Sequence, residues 1–352
     1  MKKVFIGIDF SKNKFDATLF QRDNLSDKHH ATFANNQVGY SDFIQWIKEQ
    51  TQLPKKDWLF CGEHTGLYSL LLCNYLAHKK YFFWLEDPQQ IKNSIGIKRG
   101  KSDKTDSYEI AMYAYRFSDK AKCYTLPDKE FDSLKQLFSF RERLIKNRNA
   151  LLVAARENRT IRDKNATARF IYERTLQETT RLKQNITEVE EKMQAIIASA
   201  ETIKENYQLI TSIKGIAMVN AIAIILATNN FTKFSNSRQY ACYCGVVSFE
   251  KTSGSSIRGG SHISHIANKR LKALLTQSAK CAVRFDPELR NYRLRLKEKG
   301  KLEKVITNNV RNKLIQRVFA VIKRRSPYTN NYENKVLAIE RMKMGDTVGI
   351  YA

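Results

Sequence analysis

The sequence predicts an α/β N-terminal domain, a central region of long helices with a coiled-coil seam, and a mostly α-helical C-terminal domain. Three observations carry this. Over the first 120 residues, short runs rich in β-branched and aromatic residues alternate with amphipathic segments. From Lys129 to Asn206 there is no Gly or Pro, and apolar residues recur at helical spacing. Beyond residue 207 the chain turns apolar in LITSIKGIAMVNAIAIILA, then Gly- and Ser-rich, then strongly basic. A chain of 352 residues has room for two or three such parts, each with its own core.

The elements follow in order. KVFIGI (residues 3–8) is an apolar run, DFSKNK turns, and FDATLF alternates, which predicts a β-hairpin. A third strand at HHATFA (29–34) completes a meander. Helical spacing of Phe43, Ile44, Trp46 and Ile47 predicts a helix over 41–50, before a strand at WLFCG (58–62). A helix (66–78), a strand at YFFWL (81–85), a helix after Pro88 and a helix carrying Ile110, Ala111, Tyr113 and Ala114 close the domain. Three strands in succession and then strands alternating with helices predict a mixed sheet with helices on its faces. This is the element order of an RNase H-like, or RuvC-like, nuclease domain, placed here at 1–125.

Residues 126–206 form the helical linker. Leu182, Ile186, Val189, Met193 and Ile196 follow the four-three rhythm of a coiled-coil seam, which pairs with a neighbouring helix, another subunit or its own domain. Residues 207–328 form the C-terminal domain, and 329–352, without a persistent period, read as a mobile tail.

Sixty-one Lys and Arg against 35 Asp and Glu give a net charge of +26, and 11% aromatic content argues for a folded chain. Residues 251–352 hold 23 basic and 7 acidic residues, a balance that attracts polyanions, nucleic acid first. No apolar run is long enough to span a membrane and MKKVFIGIDFSK is no secretory signal, so no membrane partner and a cytoplasmic, nucleoid-associated location are expected. The six cysteines read as reduced core thiols. Cys242 and Cys244 lack a second pair at zinc spacing, although His262 and His265 follow.

Asp9 ends the first strand and Glu63 ends WLFCGE, while Asp103 and Asp106 stand three apart, on one face of a helix. Four convergent carboxylates repel unless cations occupy the site. Such hard oxygen donors suit Mg²⁺, with Mn²⁺ as the alternative, and two ions would serve phosphoryl transfer. Lys12, Lys98, Arg99, Lys101 and Lys104 crowd the same segments and are candidate phosphate contacts, as are Lys214, Arg258, Lys269, Arg270 and Lys272 further on. TSIKGIAMVNAIAII (211–225) reads as two short helices about a Gly turn, a helix-hairpin-helix-like segment for which core packing competes as an explanation. Ser253 is one of six serines between 248 and 264, in a hydroxyl-rich loop. Composition alone does not choose among them, and no Gly-x-Ser-x-Gly elbow is present.

With these residues in place, the chain resembles the DEDD-type transposases of bacterial insertion sequences, the IS110 family that includes the Piv and MooV invertases. The resemblance runs over residues 3–328. It is carried by GIDFSK with Asp9, GEHTGLY with Glu63, KSDKTD with Asp103 and Asp106, the IKGI turn, YACYCGVVSFEKTSG and GGSHISHIANKRLKALL. It implies a RuvC-like domain joined to a transposase domain, with Ser253 as the nucleophile forming covalent phosphoserine intermediates with DNA. It also implies a bridge RNA that pairs with donor and target DNA, and tetramers whose active sites combine both domains across subunits. The substrates would be double-stranded DNA, as element ends or a circular junction and a target. Lys214 stands where Pro is common in the family, Ala217 where a second Gly is common, and Ser107 where Ala is usual, the last expected to matter little.

Two other readings stay open at this point. A RuvC-like nuclease or junction resolvase would use metal-activated water and leave Ser253 idle. A basic nucleic-acid scaffold would leave the carboxylates without chemistry.

Overall fold

The computed structural model describes residues 2–64, 66–96, 102–126, 128–160, 163, 165–253, 257–263 and 267–329, without the side chains of Leu67, 250–253 and 257–263. The calls on Lys98, Arg99, Lys101 and His265, and on the tail beyond residue 329, lie outside these residues. Two compact units divide the chain, Met1–Pro127 and Asp128–Ala352.

In the first unit, strands β1 (Val4–Phe10), β2 (Lys14–Gln21) and β3 (Asn24–Ala34) form an antiparallel meander. Helix α1 (Gln37–Gln50) leads to β4 (Trp58–Glu63), which pairs parallel with β1. After α2 (Leu67–His78), β5 (Phe83–Glu86) pairs parallel with β4 and completes a five-stranded mixed sheet of order β3-β2-β1-β4-β5. Helices α3 (Pro88–Ile95) and α4 (Asp103–Arg116) follow. Alternate residues feed two cores. Val4, Ile6, Ile8, Phe15 and Phe60 pack with Phe43 and Ile47 of α1, whereas Phe5, Phe20, Leu59 and Trp84 pack with Ile110 and Ala114 of α4. Gly7 lets α4 lie directly on β1, since a Cβ there would stand 2.1 Å from the Ser107 carbonyl oxygen and 2.2 Å from the Ala111 nitrogen.

In the second unit, α5 (Lys129–Asn158) and α6 (Ala166–Ser199) form a helical hairpin. Leu182, Ile186 and Val189 of the expected seam pack on Leu137, Leu144 and Ile145 of α5, and Met193 joins the larger core beyond. The neighbouring helix of the same chain therefore takes up the seam. Helices α7 (Glu201–Thr211) and α8 (Met218–Ala227) flank a turn at Gly215 (φ +98°). Ala221–Ile225 are buried all round, as an apolar helix at the centre of a bundle must be. Helix α9 (Ser237–Tyr243) precedes the antiparallel strands β6 (Ser248–Ser253) and β7 (Ile257–Ile263). Helices α10 (Lys269–Phe285), α11 (Pro287–Glu298) and α12 (Glu303–Arg324) close the bundle. No helix among the described residues is long and apolar enough to cross a membrane.

Three expectations change. Ser253 ends a strand; it is not in a loop, because the Thr- and Ile-bearing segments pair and a register shift at Glu250/Lys251 is absorbed opposite Gly259 and Gly260. Cys123 and Cys281 are exposed; they are not core thiols. Ser107 is fully buried, its Oγ 2.7 Å from Thr18 Oγ1, a polar tie between α4 and β2 that the sequence did not lead one to expect.

Candidate active site on the first unit

The strand alternation that builds the α4-side core places Asp9 on the face where Phe5 and Gly7 meet that helix. Glu63, at the end of β4, shares the face with Leu59 and Cys61. Helix α4 begins on Ser102, whose side chain accepts from Thr105 N, and its first turn carries Asp103 and Asp106. Acidic residues there are ordinary helix starts, stabilised by the exposed amides. What sets them apart is the Gly7 contact, which fixes this helix start over the sheet.

The electrostatics report the convergence. Burial first, and then Asp106, Glu63, Asp103 and Asp16 in that order, together push the Asp9 carboxyl up to about 6. Asp9 therefore feels the other three sequence-predicted carboxylates.

Two more acids, missed in the sequence, complete a row across the sheet. Asp16 on β2 is the register partner of Asp9 and is 5% exposed. It accepts from Thr32 Oγ1 at 2.6 Å, and His30 Nε2 stands 3.2 Å away. Glu86 on β5 is the register partner of Glu63, accepting from Tyr113 OH at 3.2 Å and from its neighbour's amide, Asp87 N, at 2.7 Å. Both could have been found. Asp16 alternates in phase with Thr18 and Phe20, and Glu86 ends FFWLE as Glu63 ends WLFCGE. Lys14 was missed as well: its Nζ donates to Asp103 Oδ2 at 3.0 Å and Asp16 Oδ2 at 3.2 Å, which raises its pKa.

The donor set suits a hard divalent cation, being oxygen-rich, crowded with negative charge and backed by buried apolar side chains. Among the described residues no three Asp, Glu, His or Cys side chains are drawn together closely enough to hold an ion as they stand, and Asp103 is turned to Lys14.

The basic candidates are dispersed. Lys12 is exposed in the β1–β2 turn and Lys104 is exposed in the first turn of α4. On the second unit, Lys214 is exposed beside Gly215, whereas Gly215 itself packs on α10, 2.7 Å from Ala282 Cβ were it to carry a Cβ. Core packing thus accounts for the glycine of that turn. Lys269 is exposed; Arg270 is ion-paired with Glu142 and lies over the Phe138 ring; Lys272 is half-buried beside Arg311. For Arg258 only the backbone, paired with Thr252, is described.

Residues 6–158 match a DEDD-type transposase family of the IS110 class, and residues 207–293 match the family described as Transposase IS116/IS110/IS902. The chain is 25% identical over 336 residues to the pilin gene-inverting protein of Moraxella bovis, covering 93% of this chain and 98% of that one. It is equally similar to the pilin gene-inverting protein of Moraxella lacunata. It is 27% identical over 145 residues, 40% of this chain and 36% of the relative, to an insertion element IS110 protein of Streptomyces coelicolor. With its carboxylate-bearing sheet, its basic helical unit and a family match on each, the chain belongs to the IS110 family and is a DNA transposase or recombinase.

Proposed function

We propose that this enzyme is a site-directed recombinase of an insertion sequence, in which Asp9, Glu63, Asp103 and Asp106 hold Mg²⁺ or Mn²⁺ and Ser253 attacks a DNA phosphate. The observation that carries the reading is the crowding of Asp9 by acids from two neighbouring strands and a helix start, a repulsion that bound cations would relieve. The ions, when bound, would neutralise charge on the reacting phosphate. The mixed sheet of order β3-β2-β1-β4-β5 supports an RNase H-like fold for residues 1–125. Ser253 is the last residue of β6, where that strand pairs with the start of β7. In the attack the Ser253 oxygen bonds to phosphorus as the strand's own sugar oxygen leaves. The serine gives up its proton and the departing oxygen gains one, so one phosphate ester replaces another and the strand can be passed to a second sugar hydroxyl.

The parts divide as 1–125 for the carboxylate domain, 126–206 for the helical linker, 207–328 for the serine-bearing domain and 329–352 for the tail. Double-stranded DNA is the substrate, a bridge RNA the guide, and the working form a dimer or tetramer. Exposed Val153, Phe170 and Ile171 on the α5–α6 hairpin offer apolar surface for self-association.

The test incubates the protein with Mg²⁺, labelled element-end DNA and the flanking RNA of its locus, and looks for denaturation-resistant protein–DNA adducts. Adducts are expected in the wild type, absent in Ser253→Ala and dependent on the RNA. Metal-dependent cleavage without adduct, equal in both proteins, would replace this reading with a RuvC-like nuclease.

A further inference from the structure

In the second unit, several arginines have an acid partner. Arg141 pairs with Glu190, Arg270 with Glu142, Arg293 with Glu303, Arg317 with Asp286 and Glu288, and Arg325 with Glu205. Arg311 on α12 does not. It is half-buried, has no carboxylate partner among the described residues, and its Nε is enclosed without a hydrogen-bond partner. Its one tie is a donation from Nη1 to Asn308 Oδ1 at 3.1 Å, and Asn308 in turn donates to the Val246 carbonyl at 2.7 Å. The guanidinium is therefore held in place without being neutralised.

Facing it from α10 is Lys272, and the two cations repel: burial and Arg311 both lower the Lys272 pKa. They line a cleft of about 710 Å³ between α10 and α12, with Lys280 and Lys304 exposed at its edges. Among the described side chains no carboxylate lines it; the remaining polar lining is hydroxyl and amide, including Ser248 and Asn309. Crowding like charges and enclosing an unpaired donor costs stability, and the ligand that relieves both is an oxyanion with several acceptor oxygens.

The cleft has a fixed relation to the candidate nucleophile. Ser248 and Ser253 are the two ends of β6. At roughly 3.4 Å per residue the strand carries ~17 Å from cleft to serine, about five nucleotides of one strand of B-form duplex at 3.4 Å each.

We propose that the α10–α12 cleft seats a backbone phosphate of the DNA strand being cut, within about five nucleotides of the cleaved phosphate, with Arg311 and Lys272 as its counter-charges. The choice of DNA and the position relative to the cut rest on the reading of Ser253 given above; the need for an anion does not. Arg311 is the rigid contact, fixed through Asn308, and Lys272 the adjustable one. Seating the backbone there would hold the strand in register with the hairpin, a positioning role separate from the chemistry.

The test uses the full chain carrying Arg311→Met and Lys272→Met, singly and together, with element-end duplex as probe. The double variant is expected to bind about tenfold more weakly near physiological salt, with a slope of log affinity against log salt shallower by about 0.9, the value of one phosphate contact. Without DNA it should melt at the same or a higher temperature than the wild type, because a repulsion is gone. Methylphosphonates, which remove one phosphate charge, walked along the strand should weaken the wild type at one position within about five nucleotides of the cut. That position should be silent in the double variant. An unchanged affinity and salt slope would overturn the proposal, as would a binding loss that merely follows a lower melting temperature. So would an equal loss for the element's structured RNA with none for the duplex. The two readings fail separately: adducts with an unchanged salt slope sink the cleft and spare the serine, whereas cleavage without adducts and a shallower slope do the reverse.

Discussion

The two units carry electrostatic frustration of opposite sign. On the first, a row of carboxylates from Asp16 through Asp9 and Glu63 to Glu86 crosses the sheet, and mutual repulsion with burial lifts Asp9 to about 6. On the second, Lys272 and Arg311 crowd each other in a cleft lined by no acid among the described side chains. On the reading proposed above, cations would complete the first arrangement and an anion the second, and a nucleic acid accompanied by metal ions would bring both. A fold that only needed stability would have paired these charges, as the second unit does at Arg317, Asp286 and Glu288. The comparison teaches that unrelieved charge, in either sign, marks where this protein expects company.

The most severe test of that contrast is Asp9→Asn. Loss of one ligand from a phosphoryl-transfer site removes several kcal/mol of transition-state stabilisation, so strand cleavage should fall by at least ~1000-fold. The same variant should melt at a higher temperature in chelator at pH 7. The folded Asp9 carboxyl titrates at about 6 against an ordinary 3.8. Its protonated form adds stability that is fully present below the unfolded value, near 4, and is lost as pH rises through about 6. Melting curves between pH 4 and 7 should therefore fall for the wild type and flatten for Asp9→Asn. A variant no more stable than the wild type would show that Asp9 is not strained, and the comparison would break on its acidic side.

Gly7→Ala comes next. The new methyl meets backbone atoms of Ser107 and Ala111 closer than any contact allows, so α4 must move and carry Asp103 and Asp106 with it. A stability loss of ~1–3 kcal/mol by denaturant titration and about a 100-fold loss of cleavage are expected, with nucleic-acid binding by the second unit unchanged. A parallel loss of binding would mean the regions are not separable.

Ser107→Ala should cost ~1–2 kcal/mol, since it strands the Thr18 hydroxyl in the core, while the double change with Thr18→Val should recover most of that. Additive losses would show that the hydroxyl pair is not a unit. The smallest effect is expected for Lys14→Met. Melting temperature should not change measurably, because the ion pair is solvent-exposed. The divalent-ion concentration for half-maximal thermal stabilisation should fall a few-fold, since a competing cation leaves Asp103. A rise would instead make Lys14 a group that orients Asp103.

Much of the first unit was legible. Strand ends at Asp9 and Glu63 and the helix through Ile110 are short-range patterns, set by alternation and by 3.6-residue spacing within a few residues of each other. Ser253 is singled out only by resemblance, because six hydroxyls in one segment are locally equivalent. Its segment was read as a loop since glycines hide strand pairing, and Gly259 and Gly260 have no side chains to alternate. The Ser107 change looked idle because its partner, Thr18, lies 89 residues away in sequence.

The sequence by itself determined the elements, the excess of basic charge and the family, because periodicity, composition and contiguous motifs are properties of neighbouring residues. Only the tertiary structure decided that Asp16, Lys14 and Glu86 join the carboxylate row, that α5 takes up the seam of α6, and that Arg311 faces Lys272. Each of these is a meeting of residues distant in the chain, chosen by strand register and helix packing, and no local pattern encodes which distant partner a side chain will meet.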